Sequence, residues 1–525
     1  MRGLGAIPFA VFMVIVSACG GGNGGSSPTQ AEQGAANLIQ RHSVDTRCDL
    51  AVYPSADWLQ CELENHARTL EANVEQLAPD FIIRSQTQEN ANRLAMLARI
   101  AEDPSWSLPP TQGTTPLTPL CSAGMGPCVG DPFRYPGVDG PDGRTFYEQE
   151  AIVEPVVYYD EGCARISGRV WRPRALQAGE RAPVVVIKNG SVQAGEQLYW
   201  WAAQALVRAG YVVLTSDPRG QGASDMATPN SAEQGGNING HVFYQGLVND
   251  IDFILSRPAL HYPHEANCAG SYPTETRAFN PFHAFVDRER IGIAGHSYGA
   301  AGVTWVQAYG APGAENWPGL LSSENPVDVV VAWDALGYTD TGNNATITSV
   351  QLPPGSTNAI TDAFGGSDFP AVVAHKPALS FKSEYGFTPI PLVTDPDRDG
   401  HKNAFKQWQA ASVPVVSVTI AGTTHLDYSL GPTLPASSWC PSTDNNRCEG
   451  GWARPMITEY TVAWFDRWLK KRGEPGYAQA EARLLDDARW AERMSFHFAS
   501  ARDFPLRSGE RESCEDIRLL CGSGE

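Results

Sequence analysis

The sequence contains no cluster of basic residues. Its 39 Lys and Arg are outnumbered by 58 Asp and Glu, which gives a formal net charge of −19 at pH 7. Because the binding of nucleic-acid phosphates requires clustered positive charge, the composition excludes nucleic acid as the expected partner. The acidity is typical of a surface that keeps an exported protein soluble.

A hydrophobic run long enough to span a bilayer is also missing. The stretch Ile7–Val16 is apolar, but it is far shorter than the roughly 20 residues that a transmembrane helix needs. With Arg2 in front of it, this stretch is typical of an export signal that is removed from the mature protein.

The residues after this stretch predict a lipid anchor. Val16-Ser17-Ala18-Cys19 resembles the lipobox of bacterial lipoproteins, in which the cysteine becomes lipid-modified. Residues 20–27 supply a flexible Gly- and Ser-rich tether. We therefore expect export and attachment of Cys19 to the bacterial cell envelope. Gly20, rather than Asp, after the cysteine favours the outer membrane if the source is Gram-negative.

The cysteines lack the paired spacing and the nearby His residues of a zinc site. Of the 11 cysteines, ten remain without Cys19, and disulfides form and persist in oxidising compartments. Their spacing favours four local bridges, Cys48–Cys61, Cys121–Cys128, Cys440–Cys448 and Cys514–Cys521, which leaves Cys163 to pair with Cys268.

No metal or cofactor is predicted. Asp395, Asp397 and Asp399 followed by Gly400 resemble part of a calcium loop, but Lys406 stands where such a loop has its bidentate Glu. A solvated acidic turn is the favoured interpretation of these residues.

The pattern of the chain changes near residue 150. From there, short β-branched runs alternate with helical segments, which predicts an α/β fold with a mostly parallel sheet and helices on both faces. The predicted strands are 184–187, 212–215, 291–294, 327–333, 378–382 and 415–420, and the predicted helices are 198–209, 244–255, 299–309, 402–411 and 456–471. The predicted organisation is a signal peptide (1–18), a tether (19–36), a helical N-terminal region and connector (37–149, with a helix over 87–102), a catalytic domain (150–475) and a C-terminal extension (476–525).

Ser297 is the predicted nucleophile. It lies in Gly295-His296-Ser297-Tyr298-Gly299, between a predicted strand and a helix rich in small residues. A serine on such a sharp turn is held exposed, and glycines flank it because side chains would collide there. The adjacent helix N-terminus adds free N–H groups and the positive end of the helix dipole.

His425 is the predicted base. A serine hydroxyl is weakly nucleophilic at neutral pH, so a histidine must accept its proton. His425 follows the last predicted strand and precedes the final helix, the place where such a histidine is expected. The earlier His296, His375 and His401 are interpreted as solvated surface residues.

Two acids are candidates for the residue that orients this histidine. Asp334 and Glu384 each end a predicted strand between the nucleophile and the base. The commoner arrangement places an Asp two residues beyond Glu384, but Gly386 occupies that position, which favours Asp334.

These segments together resemble the secreted platelet-activating-factor acetylhydrolases and related bacterial lipases and esterases, which have the α/β-hydrolase fold. The segments that show the resemblance are 295–299, Trp333-Asp334-Ala335, Ser383-Glu384-Tyr385 and 422–425, within about residues 150–470. The resemblance implies a triad of Ser297, Asp334 and His425, with Glu384 as a nearby supporting acid.

An oxyanion formed during acyl transfer needs two backbone N–H donors. Tyr298 is the first candidate. The second is Ser191 in Lys188-Asn189-Gly190-Ser191, where family members have His-Gly before the donor, so Asn189 departs from their pattern.

The sequence therefore predicts a serine esterase that cleaves carboxylic esters through an acyl-enzyme, with a small or lipid-like ester as its partner. Two alternatives stay open: a serine peptidase or amidase of the same fold, and a catalytically inert surface-binding lipoprotein.

Overall fold

The structure is a computed structural model that describes residues 47–77, 101, 146–191, 195–222, 224–225, 227–229, 240–272, 275–334, 336–339, 370–386, 390–429 and 452–520. The predicted signal peptide, Cys19, the tether and the helix over 87–102, apart from residue 101, lie outside these residues. Within them, no helix combines the length and the apolar content that crossing a membrane requires.

Within the described residues, ten strands form one sheet. Their bounds are β1 Ala151–Tyr159, β2 Arg165–Pro173, β3 Ala182–Lys188, β4 Val212–Ser216, β5 Val286–His296, β6 Val327–Trp333, β7 Ala378–Ser383, β8 Val415–Ile420, β9 Ala501–Pro505 and β10 Arg511–Cys514. The spatial order is β1-β2-β4-β3-β5-β6-β7-β8-β9-β10. The run from β4 to β8 is parallel, and both edges are antiparallel. The prediction of an α/β fold with a mostly parallel sheet is confirmed.

The central strands are continuous apolar runs because both of their faces are buried. In β3, Val184 and Val186 point to one face of the sheet, while Val185 and Ile187 point to the other. All seven residues of β3 are buried. The six predicted strands are all present, and β5 is longer than expected.

Helices cover both faces of this sheet. Their bounds are α1 Ala56–Leu77, α2 Trp200–Arg208, α3 His241–Leu255, α4 Pro263–Cys268, α5 Tyr298–Ala308, α6 Asn403–Ala410, α7 Arg454–Leu469, α8 Ala480–Leu484, α9 Asp487–Trp490 and α10 Ile517–Leu520. One core layer lies between the sheet and α2 and α7, and the other lies between the sheet and α3, α5 and α6. All five helices predicted in the catalytic domain differ from the observed bounds by at most three residues, and the first of them, 198–209, is preceded by a 3₁₀ turn, Glu196–Tyr199.

The direction of the connections reverses between β3 and β5. The chain leaves β3, returns through β4 on one side, and then enters β5 on the other side of β3. Connections that run in opposite directions from neighbouring parallel strands leave a crevice at their carboxyl ends, and ligands bind there in open α/β sheets. The ends of β3 and β5 carry Ser191 and Ser297, so this topology gathers the predicted site.

The disulfides Cys48–Cys61 and Cys163–Cys268 are both formed, as predicted. The first joins the N-terminal segment to α1, and the second closes a loop of 105 residues between the β1–β2 turn and α4. Cys121, Cys128, Cys440, Cys448 and Cys521 lie outside the described residues.

Candidate active site

Ser297 stands in a strained turn between β5 and α5. Its backbone has φ 57° and ψ −120°, a conformation that non-glycine residues rarely adopt. A Cβ on Gly295 would come within 2.3 Å of the Gly299 carbonyl oxygen, and one on Gly299 within 2.3 Å of the Lys188 oxygen. Both glycines are therefore required for the turn to close. The Ser297 side chain remains partly exposed.

Asp334 and His425 form a hydrogen-bonded pair beside this serine. His425 Nδ1 lies 2.6 Å from Asp334 Oδ2, and both side chains are buried. A carboxylate only accepts, so Nδ1 donates its proton and leaves the lone pair of a neutral ring on Nε2. The Ser297 N–H donates to the Trp333 carbonyl at 3.1 Å, which places the serine next to the strand that ends at Asp334.

Asp334 is held in its charged form. Burial raises the pKa of this carboxyl, but hydrogen bonds from the His425 ring and from the amide and hydroxyl of Ser383 outweigh burial, and the net pKa is lowered. The two Ser383 bonds measure 2.8 Å to Oδ1 and 2.7 Å to Oδ2. Asp334 itself has φ 47°, so it too occupies a left-handed conformation fixed by its surroundings.

The turn that carries His425 is anchored on several sides. Thr424 and Asp427 form a reciprocal capping box around it. The His425 amide donates to the Gly386 carbonyl at 2.8 Å, and Arg454 donates to the carbonyl of Asp427 at 2.8 Å. The ring of His425 is therefore supported from its own backbone as well as by Asp334.

Glu384, the second predicted acid, is engaged by donors other than the His425 ring. Its carboxylate accepts from the side chains of Asn65 and Ser495 and from the Gly422 amide at 2.6 Å. These donors belong to α1, to the segment before β9 and to the start of the His425 turn. The structure thus brings Asp334, and not Glu384, to the imidazole.

The candidate oxyanion loop after β3 packs directly against the serine. A Cβ on Gly190 would come within 3.1 Å of Ser297 Cβ, so the loop and the serine are in contact. The Gly190 amide donates to the Tyr199 hydroxyl at 3.0 Å. This engagement leaves the next amide, that of the buried Ser191, as the donor candidate on this loop.

Asn189, which departs from the family pattern, has a structural partner. Its side-chain amide donates to Asp217 Oδ1 at 3.0 Å, and the same oxygen accepts from the Glu196 amide at 2.6 Å. Gly222 has φ 46°, and a Cβ there would collide with the Asp217 carboxylate. The turn after β4 therefore supports both ends of the candidate oxyanion loop.

The interpretation of the other histidines as solvated was wrong for two of them. His296 and His401 are buried, with 3% and 6% exposure. His296 Nδ1 lies 2.8 Å from the Tyr199 hydroxyl, and its Nε2 lies 2.8 Å from the His425 carbonyl. Sequence reasoning missed Tyr199 altogether, because nothing in its neighbourhood of apolar residues marks it as functional.

Within the described ranges, no three His, Cys, Asp or Glu side chains group as a metal site would require. In the acidic turn, Asp399 pairs with Lys402 at 2.8 Å and with Lys406 at 2.9 Å.

Comparison with known proteins gives only a distant likeness. No protein-family model and no curated protein match the chain. Among solved structures, one match is a chain from a structural analysis of two fungal esterases from Rhizomucor miehei that explains their substrate specificity. It shares 13% identity, covers 60% of this chain and 83% of the fungal one, and has a TM-score of 0.36. A likeness this distant does not assign function, so the assignment depends on the geometry of the site.

Proposed function

We propose that this protein is a serine hydrolase of the α/β-hydrolase fold that cleaves carboxylic esters through an acyl-enzyme. The observation that supports it most strongly is the strained Ser297 at the strand-to-helix turn, beside a hydrogen-bonded Asp334–His425 pair. Backbone strain of this kind is costly and persists where the surroundings enforce it, typically at functional sites.

In the proposed mechanism, the Ser297 hydroxyl attacks the ester carbonyl while His425 Nε2 accepts its proton. Asp334 stabilises the imidazolium that forms. The tetrahedral oxyanion accepts hydrogen bonds from the amides of Tyr298 and Ser191. When the intermediate collapses, His425 donates the proton to the leaving alcohol. Water then attacks the acyl-enzyme while His425 accepts its proton, and His425 returns that proton to Ser297 as the carboxylic acid leaves.

The hydrogen-bond partners of the two acids explain why Asp334 is assigned this role rather than Glu384. An acid that orients the base must accept from the imidazole N–H, and only Asp334 of the two candidates does so. The three donors of Glu384 come from other groups, which supports a structural role for it.

The test is Ser297→Ala. We expect it to abolish hydrolysis of short p-nitrophenyl esters and labelling by a fluorophosphonate probe, because only an activated serine reacts with the probe. The exposed Ser508 in the β9–β10 turn provides the control, and Ser508→Ala should label like the wild type. Full activity in Ser297→Ala would reject the mechanism, and cleavage of peptides at a rate comparable to esters would replace the ester with an amide substrate.

We also propose that the enzyme acts at the cell envelope, attached through lipidated Cys19. The support is the lipobox-like Val16-Ser17-Ala18-Cys19 and the tether after it. Cells expressing the protein should incorporate a labelled fatty acid into the wild type but not into Cys19→Ala. Equal incorporation in both would exclude this anchor.

A further inference from the structure

Two buried side chains outside the proposed triad connect the candidate oxyanion loop to the proposed base. The Gly190 amide donates to the Tyr199 hydroxyl at 3.0 Å, and this hydroxyl lies 2.8 Å from His296 Nδ1. On the other side of the ring, His296 Nε2 lies 2.8 Å from the His425 carbonyl. The chain of bonds therefore runs from the oxyanion loop to the backbone of the proposed base.

The chemistry of the partners fixes where each proton lies. A carbonyl oxygen only accepts, so His296 Nε2 must donate to His425. Burial and the nearby His425 lower the pKa of His296 well below its usual value, so the ring is neutral and its Nδ1 accepts. The Tyr199 hydroxyl then donates to Nδ1 while its oxygen accepts from Gly190. Each hydrogen bond in this chain therefore has only one possible donor, and all the bonds run in the same direction, from Gly190 towards His425.

This chain passes directly behind Ser297. A Cβ on Gly190 would come within 3.1 Å of Ser297 Cβ, 3.1 Å of the Tyr199 hydroxyl and 3.3 Å of His296 Nδ1. On the other side, the rings of His296 and His425 have their centroids 4.6 Å apart. A shift of Tyr199 or His296 would therefore be transmitted to the donor loop and to the base together.

We propose that Tyr199 and His296 are positioning residues that fix the spacing between the oxyanion donor Ser191 and the base His425. This inference rests on the proposed hydrolase function. Acyl transfer requires the donor and the base to lie at their places before the reaction, and small displacements cost much of the rate. A series of aligned hydrogen bonds is well suited to this role because its members polarise and stiffen one another in a buried site.

The sharpest variant is Tyr199→Phe, which keeps the ring and removes only the hydroxyl. We expect kcat to fall by about 10- to 100-fold with little change in KM, since the substrate is still bound but the reacting groups are displaced. The rate of fluorophosphonate labelling should fall in parallel. A matched control is Tyr262→Phe, because the buried Tyr262 hydroxyl donates at 2.7 Å to the Tyr159 carbonyl in the β1 and α4 region. It should lower stability without lowering kcat.

Variants of His296 separate the two halves of the chain. Glutamine places its amide group near the Nε2 position and can keep the bond to His425, whereas asparagine places its amide near Nδ1 and can keep only the bond to Tyr199. We expect His296→Gln to retain more kcat than His296→Asn, because the first preserves the contact with the base. Because asparagine is also the smaller side chain, the two variants are compared by kcat per folded molecule.

These experiments distinguish rejection of the positioning role from rejection of the proposed hydrolase function. If the wild type is not labelled at all, the hydrolase function and this inference are both rejected. If the wild type is labelled and Tyr199→Phe has the kcat of Tyr262→Phe when both are compared per folded molecule, the positioning role alone is rejected. The same holds if His296→Asn is as active as His296→Gln.

Discussion

Asp334 and Glu384 follow neighbouring parallel strands at the same edge of the sheet, and each is 1% exposed. Their surroundings differ in what donates to them. Asp334 accepts from an imidazole and from Ser383, whereas Glu384 accepts from Asn65, Ser495 and the Gly422 amide. One carboxylate contacts the proposed base, and the other joins three segments of the chain. A position at the end of a strand therefore places an acid at this edge of the sheet. The groups that donate hydrogen bonds to its carboxylate decide which role the acid has.

The largest expected effect is on catalysis at Asp334. In Asp334→Asn the side chain is nearly unchanged in shape, but its amide cannot accept from Nδ1 in the same way and favours the wrong histidine tautomer. We expect kcat to fall by about 10⁴-fold, as in other Ser-His-Asp sites, with a small change in melting temperature. Steady-state kinetics on p-nitrophenyl esters and thermal unfolding measure the two effects.

The comparison would break if Glu384→Gln showed that same loss of kcat per folded molecule while Asp334→Asn did not. The roles of the two acids would then be exchanged.

At Glu384 the expected effect is on stability. An amide in place of this carboxylate turns one accepting oxygen into a donor that faces other donors in a buried site. We expect Glu384→Gln to lower the free energy of unfolding by about 2–4 kcal/mol, the range for leaving buried polar groups unsatisfied or losing a buried charged partner. The folded fraction should keep its activity within about tenfold, because Asp334 and His425 remain paired.

Urea unfolding followed by tryptophan fluorescence measures this change. Glu289 provides the control, since it is an exposed glutamate on β5, and Glu289→Gln should leave unfolding unchanged. Unfolding of Glu384→Gln at the wild-type urea concentration would contradict the assigned structural role.

The two acids also show how far the sequence predicts this protein. The central strands could be predicted because burial on both faces requires continuous apolar runs such as Val184–Ile187. The antiparallel strand β9 could not, since its sequence is Ala-Arg-Asp-Phe-Pro, and it forms a strand through pairing with β8 on one side and β10 on the other. Pairing decides such segments more than their own composition.

The candidate site also contains some residues that local sequence marks and others that it does not. Ser297, Asp334 and His425, the proposed triad, could be selected from the sequence because each follows a strand with a recognisable local motif. Partners remote in sequence could not: Asn65 lies 319 positions from Glu384, and Tyr199 lies 97 positions from His296. Such contacts depend on how the layers pack, and no local pattern marks them.

A third carboxylate, Asp427, extends the comparison to pH. Burial raises its pKa to about 7, although the Thr424 amide and Arg454 act in the opposite direction. The folded state therefore holds a proton that the unfolded state loses above about pH 4. This contribution to stability is fully present below that pH and is lost as pH rises through about 7.

We expect the wild type to lose about 2 kcal/mol of stability relative to Asp427→Asn between pH 5 and pH 7, since one proton contributes up to 1.4 kcal/mol per pH unit. Urea unfolding of both proteins across this range measures the difference. Parallel pH curves for the two proteins would show that Asp427 titrates as in the unfolded chain.

The smallest expected effect concerns the hydroxyls that donate to the two acids. Ser383 donates to Asp334 at 2.7 Å, and its amide bond to the same carboxylate survives in Ser383→Ala. Loss of one donor of several should lower kcat by about tenfold, the value of a charge-assisted hydrogen bond. It should also make unfolding depend less on pH in acid, because the depressed pKa of Asp334 contributes stability that is lost as pH falls through that pKa, and a smaller depression leaves less to lose.

Ser495→Ala is the matched change at the other acid, since this hydroxyl donates to Glu384 at 2.5 Å and also accepts from the amides of His497 and Phe498. We expect it to lower stability at least as much as Ser383→Ala while leaving kcat per folded molecule unchanged. The pair of variants removes the same chemical group from two carboxylates on one sheet edge. If both variants lowered kcat equally, the two hydroxyls would act through the general rigidity of this sheet edge. The distinction between an orienting acid and a structural acid would then not apply to the groups that donate to them.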